Sequence, residues 1–376
     1  MTPADTRPAN PTLTERLRRE LRVLITPGRR MADELECVAS VLLAIVIAHL
    51  VGAEMIAWAA FSAFVLLKGP VGETLVRAVL RMIGTFLGAT LAIWFERMTN
   101  LALWQIMLAV ALVGGVGLYG MLTAKRAYAF LLFGLTFLMI VLDRMENRHL
   151  DIEALALTRV LEVGAGTLAC VIVSVVSTLT ARRWWPASLT PSTPPVGWHP
   201  DAARHAVQAA IALSLLPVIH LYWDIPELAQ AGVTIMAVMI VPVAGLGSSG
   251  LAPVSRRLRQ RAVGCLAGGL LAAAILYVAH GSVPLLVAGT CLGIVLGRHI
   301  ENGSTRNAYL GLQFTLAVLV VLVPDDYANV AIEPGLERMV SVFIGMAILV
   351  PILVAGHLIA PERAAADTSE DTSASE

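Results

Sequence analysis

Residues 77–88, RAVLRMIGTFLG, and residues 257–268, RLRQRAVGCLAG, each carry two arginines four apart followed by two glycines four apart. Four residues is about one helical turn, so Arg77 and Arg81 share a face, as do Arg257 and Arg261. A guanidinium stays charged at any relevant pH and grips a carboxylate through paired N–H donors. Four of them converging at a helix-bundle mouth would gather small anions, and rings of arginine are how anion pores select charge. The rival reading is positive-inside arginines whose heads reach lipid headgroups. Arg159 and Arg338 are a second matched pair, expected on the outer side against the charge rule, where they would form another cationic level or ion pairs. Glu162 lies three residues after Arg159 on the same helical face, inside an apolar run. An acid there is either a titrating group that couples to protons or the partner that permits burial of Arg159. His49 and His220 end the first and seventh apolar runs. An imidazole titrates near pH ~6.5, so both are candidates for proton coupling, although interfacial histidines commonly do neither. Gly84, Gly88, Gly264 and Gly268 form small-x3-small faces of the kind that let helices pack closely in lipid.

The elements that must position these residues are helices in a bilayer. The chain of 376 residues is 57% hydrophobic and 14% charged, with mean hydropathy +0.76. A soluble domain is about 45–50% apolar and about 25% charged, so lipid is the expected solvent. Apolar runs recur at 35–52, 54–68, 78–95, 101–121, 127–142 and 156–180, then at 203–221, 228–246, 262–279, 283–297, 308–323 and 336–359. The runs at 54–68 and 283–297 fall short of the ~20 residues a span needs, so they tilt, extend or re-enter. With the N-terminus inside, 22 of the 27 Lys and Arg residues fall on the cytoplasmic side. That bias supports an all-α integral membrane protein of about twelve transmembrane helices, with both termini cytoplasmic.

Residues 1–34 are read as a basic cytoplasmic arm, in which 12–25 form an amphipathic helix lying on the membrane or on the protein's inner face. Residues 35–181 and 203–359 are two six-helix units. Residues 182–202 are a cytoplasmic Pro/Trp-rich linker and 360–376 a disordered acidic tail. The four cysteines, Cys37, Cys170, Cys265 and Cys291, show no metal spacing or disulfide framework. No metal or cofactor is expected, and no nucleic-acid partner.

The two units echo each other. Besides the arginine stretch, AYAFLLF (127–133) parallels AYLGLQF (308–314), and LTRVLEVGAGT (157–167) parallels LERMVSVFIGM (336–346). Three echoes in one order at nearly the same offset predict an internal repeat. Six spans per unit make the repeats parallel, related by an axis along the membrane normal, with a path expected between them.

The pattern R-x3-R-x2-G-[TC]-x2-G, with WAAFSAFVLL (58–67) before it and RVLEVGAG (159–166) after it, resembles the fusaric acid resistance family, also described as aromatic acid exporters. The resemblance implies a multi-pass protein of the bacterial inner (plasma) membrane that exports small organic, aromatic carboxylate anions. It implies a periplasmic membrane-fusion adaptor as partner, while the spacing and the repeat make Arg77, Arg81, Arg257, Arg261, Arg159 and Arg338 the expected lining of the substrate path. It also implies a distant similarity to plant aluminium-activated malate transporters. The chain departs from the family in its short connector, in having no Trp matching Trp58 in the second half, and in Ser341 where Glu162 is expected. No Walker A motif, zinc spacing or nucleophile triad is present, so an enzyme or ATP-driven pump is not expected. A proton-coupled secondary exporter leads, with a passive anion channel and a non-transporting envelope scaffold or lipid-handling protein as the other readings.

Overall fold

A computed structural model describes residues 20, 22–24, 26–67, 69–187, 197–246, 250–325, 327 and 332–359. The amphipathic stretch at 12–25 lies largely outside them, and residues 188–196 of the linker and the tail at 360–376 lie wholly outside them. The described residues are all helical in architecture: α1 (Arg29–Leu50), α2 (Ile56–Leu66), α3 (Val71–Met98), α4 (Leu103–Thr123), α5 (Ala127–Glu146), α6 (Ile152–Leu179), α7 (Ala181–Trp184), α8 (Pro200–Trp223), α9 (Leu228–Met239), α10 (Leu251–Ala279), α11 (Val283–Gly303), α12 (Ala308–Leu322) and α13 (Glu333–Ile359). Each of the twelve apolar runs contains one helix, and α7 is a single added turn. Eight helices are long and apolar enough to cross a membrane. Their outer faces are apolar: Val79, Phe86 and Leu87 on α3 and Val263, Leu266 and Leu270 on α10 are exposed. Apolar surface of this extent belongs in lipid.

Three of the expected spans, α2, α9 and α12 (15 residues), are shorter than a membrane crossing needs. α2 has 11 residues and α9 has 12, so each rises only about 17–18 Å, against a hydrocarbon thickness of ~30 Å. The run at 228–246 ends as helix at Met239 because Pro242 lacks the N–H that the next turn needs, and a short 3-10 turn follows at Val243–Gly245. The run at 283–297 does the opposite and extends to Gly303, a 21-residue helix with Pro284 in its first turn, where its missing N–H costs nothing. Pro217 and Pro351 sit inside α8 and α13, which continue through them.

The halves pack by the same scheme. α3 lies on α5 as α10 lies on α12, and α2 lies on α6 as α9 lies on α13. Across the halves, α4 lies on α8 and α11 lies on α1. Both α3 and α10 are entered from a glycine with left-handed backbone, Gly69 (φ 73°) and Gly250 (φ 65°), a conformation L-residues avoid. The close pairing of α3 with α5 rests on Gly84 and Gly88. A Cβ at Gly88 would stand 2.5 Å from the Phe133 carbonyl oxygen, and one at Gly84 would strike that of Ala129. Gly264 stands in the same way over Leu310, and Gly268 over Phe314, on α12. Backbone cannot step aside, so Gly88→Ala and Gly264→Ala are each expected to cost roughly 1–3 kcal/mol. Thermal unfolding of the detergent-solubilised protein checks this. Gly72→Ala, where an added Cβ meets nothing within 4 Å, serves as the control. Equal melting of all three variants would remove the packing argument.

A polar network ties the halves at the face where α1 begins. Arg298 of α11 bonds Asp33 through Nε at 2.5 Å, Glu301 at 2.9 Å and the Leu67 carbonyl beyond α2 at 2.8 Å. Arg182 joins the network, pairing with Asp33 at 3.1 Å and Glu36 at 2.6 Å. Both acids lie on α1, which begins six residues before the apolar run that predicts it, so Asp33 falls outside that run and Glu36 just inside its start.

Candidate functional site: a four-arginine cavity

Arg77, Arg81, Arg257 and Arg261 all line one cavity of about 410 Å³. The glycine contacts explain how. By drawing α3 onto α5 and α10 onto α12, they bring each arginine pair beside the tyrosine near the start of the partner helix. Arg81 donates from Nη1 to Tyr128 Oη at 2.6 Å and from Nη2 to Ser62 Oγ at 2.7 Å. Arg261 donates from Nη1 to Gln313 Oε1 at 2.5 Å and from Nη2 to Thr234 Oγ1 at 2.8 Å. The outer arginine of each pair stacks on a ring: Arg77 is 4.9 Å from the centre of Tyr128, and Arg257 is 4.6 Å from that of Tyr309. Arg257 also reaches the Ala237 carbonyl at 3.3 Å.

Every one of these partners is neutral. Among the described residues, none of the four guanidiniums has a carboxylate within ion-pairing distance, although eight other arginines do. Arg81 is 8% exposed and Arg261 5%. Their Nε atoms, and the Tyr309 hydroxyl, are buried with no hydrogen-bond partner among the described residues. Burying charge without counter-charge is costly. The arrangement therefore favours any small anion that enters. Glu301 also borders the cavity, with its carboxylate engaged by Arg298. The remaining wall is apolar and aromatic, including Trp58, Phe61, Leu131, Leu135, Leu312 and Leu316. Cys265 lines it too, and Cys37, Cys170, Cys265 and Cys291 are all free thiols.

The missing second tryptophan is explained by helix register. Gly166 of α6 packs on the Ala59 backbone, and Gly345 of α13 packs on Ala231, so Trp58 corresponds to Gln230. Both line the cavity, which makes its two sides unequal in polarity.

Compared with known protein families, residues 43–173 and 209–352 match the one described as fusaric acid resistance protein-like. The chain belongs to the fusaric acid resistance protein-like family. No curated protein matches it. Membership places this multi-pass membrane protein in a family of transporters rather than enzymes. The first matched stretch contains Arg77, Arg81 and Tyr128, and the second contains Arg257, Arg261 and Tyr309.

In this fusaric acid resistance protein-like chain the second arginine pair is divided between two roles. Arg338 borders the cavity, held by Glu227 at 3.1 Å and Asp325 at 3.6 Å. Arg159 is not among the lining residues. It bonds Glu162 at 2.9 Å and Asp143 at 2.7 Å, 5.1 Å from the Trp58 ring centre. Glu162 is wholly buried behind it and also accepts the Met55 N–H at 3.1 Å. In the second half Ser341 occupies the Glu162 position and donates to the Glu227 carbonyl at 2.9 Å. Its acid comes instead from Glu227, in the loop before α9. Burial holds that carboxyl above the usual carboxylate range, against the pull of the Arg338 guanidinium.

The short helices are capped across the halves. Ile56 at the start of α2 donates its N–H to Asp325 at 2.8 Å. The N–H groups of Glu227 and Leu228, at the start of α9, both bond Glu146 at 2.8 Å. Helix N-termini leave such donors unsatisfied, and carboxylates suit their positive end. His49 and His220 stand apart from the cavity. His49 bonds its own helix at the Ile45 carbonyl, 2.8 Å, and His220 the Ile225 carbonyl, 3.2 Å.

Sequence reasoning passed over Ser62, Thr234, Gln313 and Asp143. The tyrosines could have been found, since both lie in the AYAFLLF and AYLGLQF echo. The hydroxyl and amide partners carry no such signal, because only tertiary packing brings them to the arginines.

Proposed function

We propose that this protein is a secondary transporter of the bacterial inner membrane that exports small organic anions, aromatic carboxylates above all, through a path between two parallel repeats. The observation that carries the reading is the set of four guanidiniums without counter-charge around one apolar-walled cavity. A carboxylate would take up the free donors, and the leucines and aromatics would cover its ring. The cavity size falls in the ~300–1,000 Å³ range of small-molecule sites. The bias of Lys and Arg toward the end where α1 starts supports a cytoplasmic assignment for that face. Substrate would then enter from the cytoplasm past Arg77 and Arg257 and leave near Arg338. Arg159 and Glu162 would support the exit rather than touch substrate, and proton coupling, if carried here, belongs to the carboxylates around them rather than to His49 or His220. A periplasmic adaptor would meet the exit face.

Reconstitution in liposomes tests this reading. Radiolabelled benzoate is expected to accumulate against its gradient when a pH gradient is imposed. Flux that only follows the benzoate gradient would make the protein a channel, and no benzoate flux in either condition would overturn anion transport.

A further inference from the structure

The two arginine stations of the cavity are not chemically equivalent, and one position decides the difference. Leu132 and Gln313 occupy matching places: a Cβ at Gly84 would stand 2.9 Å from Leu132 Cβ, and one at Gly264 would stand 2.9 Å from Gln313 Cβ. In the first half the leucine offers no acceptor, so Arg81 turns its Nη1 to the Tyr128 hydroxyl at 2.6 Å. In the second half Gln313 takes that donor from Arg261 at 2.5 Å. Tyr309 is thereby released, and its hydroxyl is buried with no partner while Arg257 stacks on its ring.

We propose that the second-half station, made by Arg257, Arg261 and Tyr309, is the head-group subsite, and that it selects a single carboxylate. This rests on the anion-transport reading above. A carboxylate is acceptor-only, so one oxygen can receive the Tyr309 O–H while the other receives guanidinium N–H, including the free Nε–H of Arg261. An ammonium would set donors against donors, and an amide would do so with its NH2 group. The first-half station has its tyrosine already engaged by Arg81, and its nearby wall is apolar at Phe61, Leu131 and Leu135. The body of the substrate lies there, so a monocarboxylate fits and the second acid group of an aromatic dicarboxylate finds no free hydroxyl.

Calorimetric titration of the purified full-length protein with benzoate and with terephthalate tests this. Tyr309→Phe removes only the hydroxyl and is expected to weaken benzoate about 10- to 100-fold. Gln313→Leu gives the second half the side chain of the first and should weaken benzoate similarly, by returning Arg261 to Tyr309. Leu132→Gln should free Tyr128 and shift the preference from benzoate toward terephthalate. Tyr128→Phe should weaken benzoate less than Tyr309→Phe does. If Tyr309→Phe binds benzoate as tightly as wild type while Arg81→Ala with Arg261→Ala binds none, the asymmetric subsite is overturned and the anion cavity stands. If wild type binds neither acid, both fall.

Discussion

Replacing Arg81 and Arg261 together by alanine is expected to abolish aromatic carboxylate binding and export while the protein still inserts and folds. Hydrogen bonds to charged groups contribute about 1.5–3 kcal/mol each, so losing the donors that Arg261 gives the carboxylate amounts to about 10- to 100-fold in affinity, and losing the Arg81 charge lowers the cavity's attraction for anions further. The fold should survive because the groups left behind are neutral. Tyr128 and Gln313 border the cavity, Ser62 and Thr234 lie buried behind the arginines, and no buried carboxylate loses its counter-ion. Arg81→Lys with Arg261→Lys should lie between wild type and alanine. It keeps the charge but loses the fork that bonds two partners at once. The measurements are benzoate-dependent thermal stabilisation and export from loaded proteoliposomes. Unchanged export in the alanine pair would refute the four-arginine site.

Arg159→Ala should behave in the opposite way, damaging the fold more than the binding site. Glu162 is 0% exposed, and Arg159 is its cation partner in an ion pair of 2.9 Å. Removing one partner of a buried pair strands the other and costs roughly 3–5 kcal/mol. Asp143 loses its 2.7 Å bond in the same variant. The expected result is a sharply lower melting temperature and poor yield, with benzoate affinity near wild type in whatever protein folds. Arg159→Leu combined with Glu162→Leu should recover part of the stability, since an apolar pair of similar bulk leaves only Asp143 and the Met55 N–H to satisfy. Glu162→Gln separates the remaining roles. It keeps an acceptor for Met55, and transport that retains its pH response in this variant would exclude Glu162 as the coupling acid.

The two predictions differ because the two sets of arginines differ in their partners, a distinction sequence cannot draw. Arg81 and Arg159 both stand in helices beside glycine-rich apolar segments and both have an echo in the other half. Arg81 meets hydroxyls across a cavity, whereas Arg159 meets carboxylates within packed protein. Glu162 three residues on made an ion pair legible for Arg159. Nothing local announced that Gln313 would satisfy Arg261 and so leave Tyr309 free.

By itself, the sequence determined that the chain is helical and set in a membrane, and it matched Arg77 and Arg81 with Arg257 and Arg261. These follow from hydropathy, charge placement and spacing, which act within a few turns of one chain segment. Only the tertiary structure decided that the four arginines line one cavity, that Arg338 borders it while Arg159 does not, and that α2 and α9 stop short of a full span with caps from the opposite half. Those outcomes depend on which helix faces which. That is set by close backbone contacts at Gly84, Gly88, Gly264 and Gly268 and by long-range pairing of buried charge.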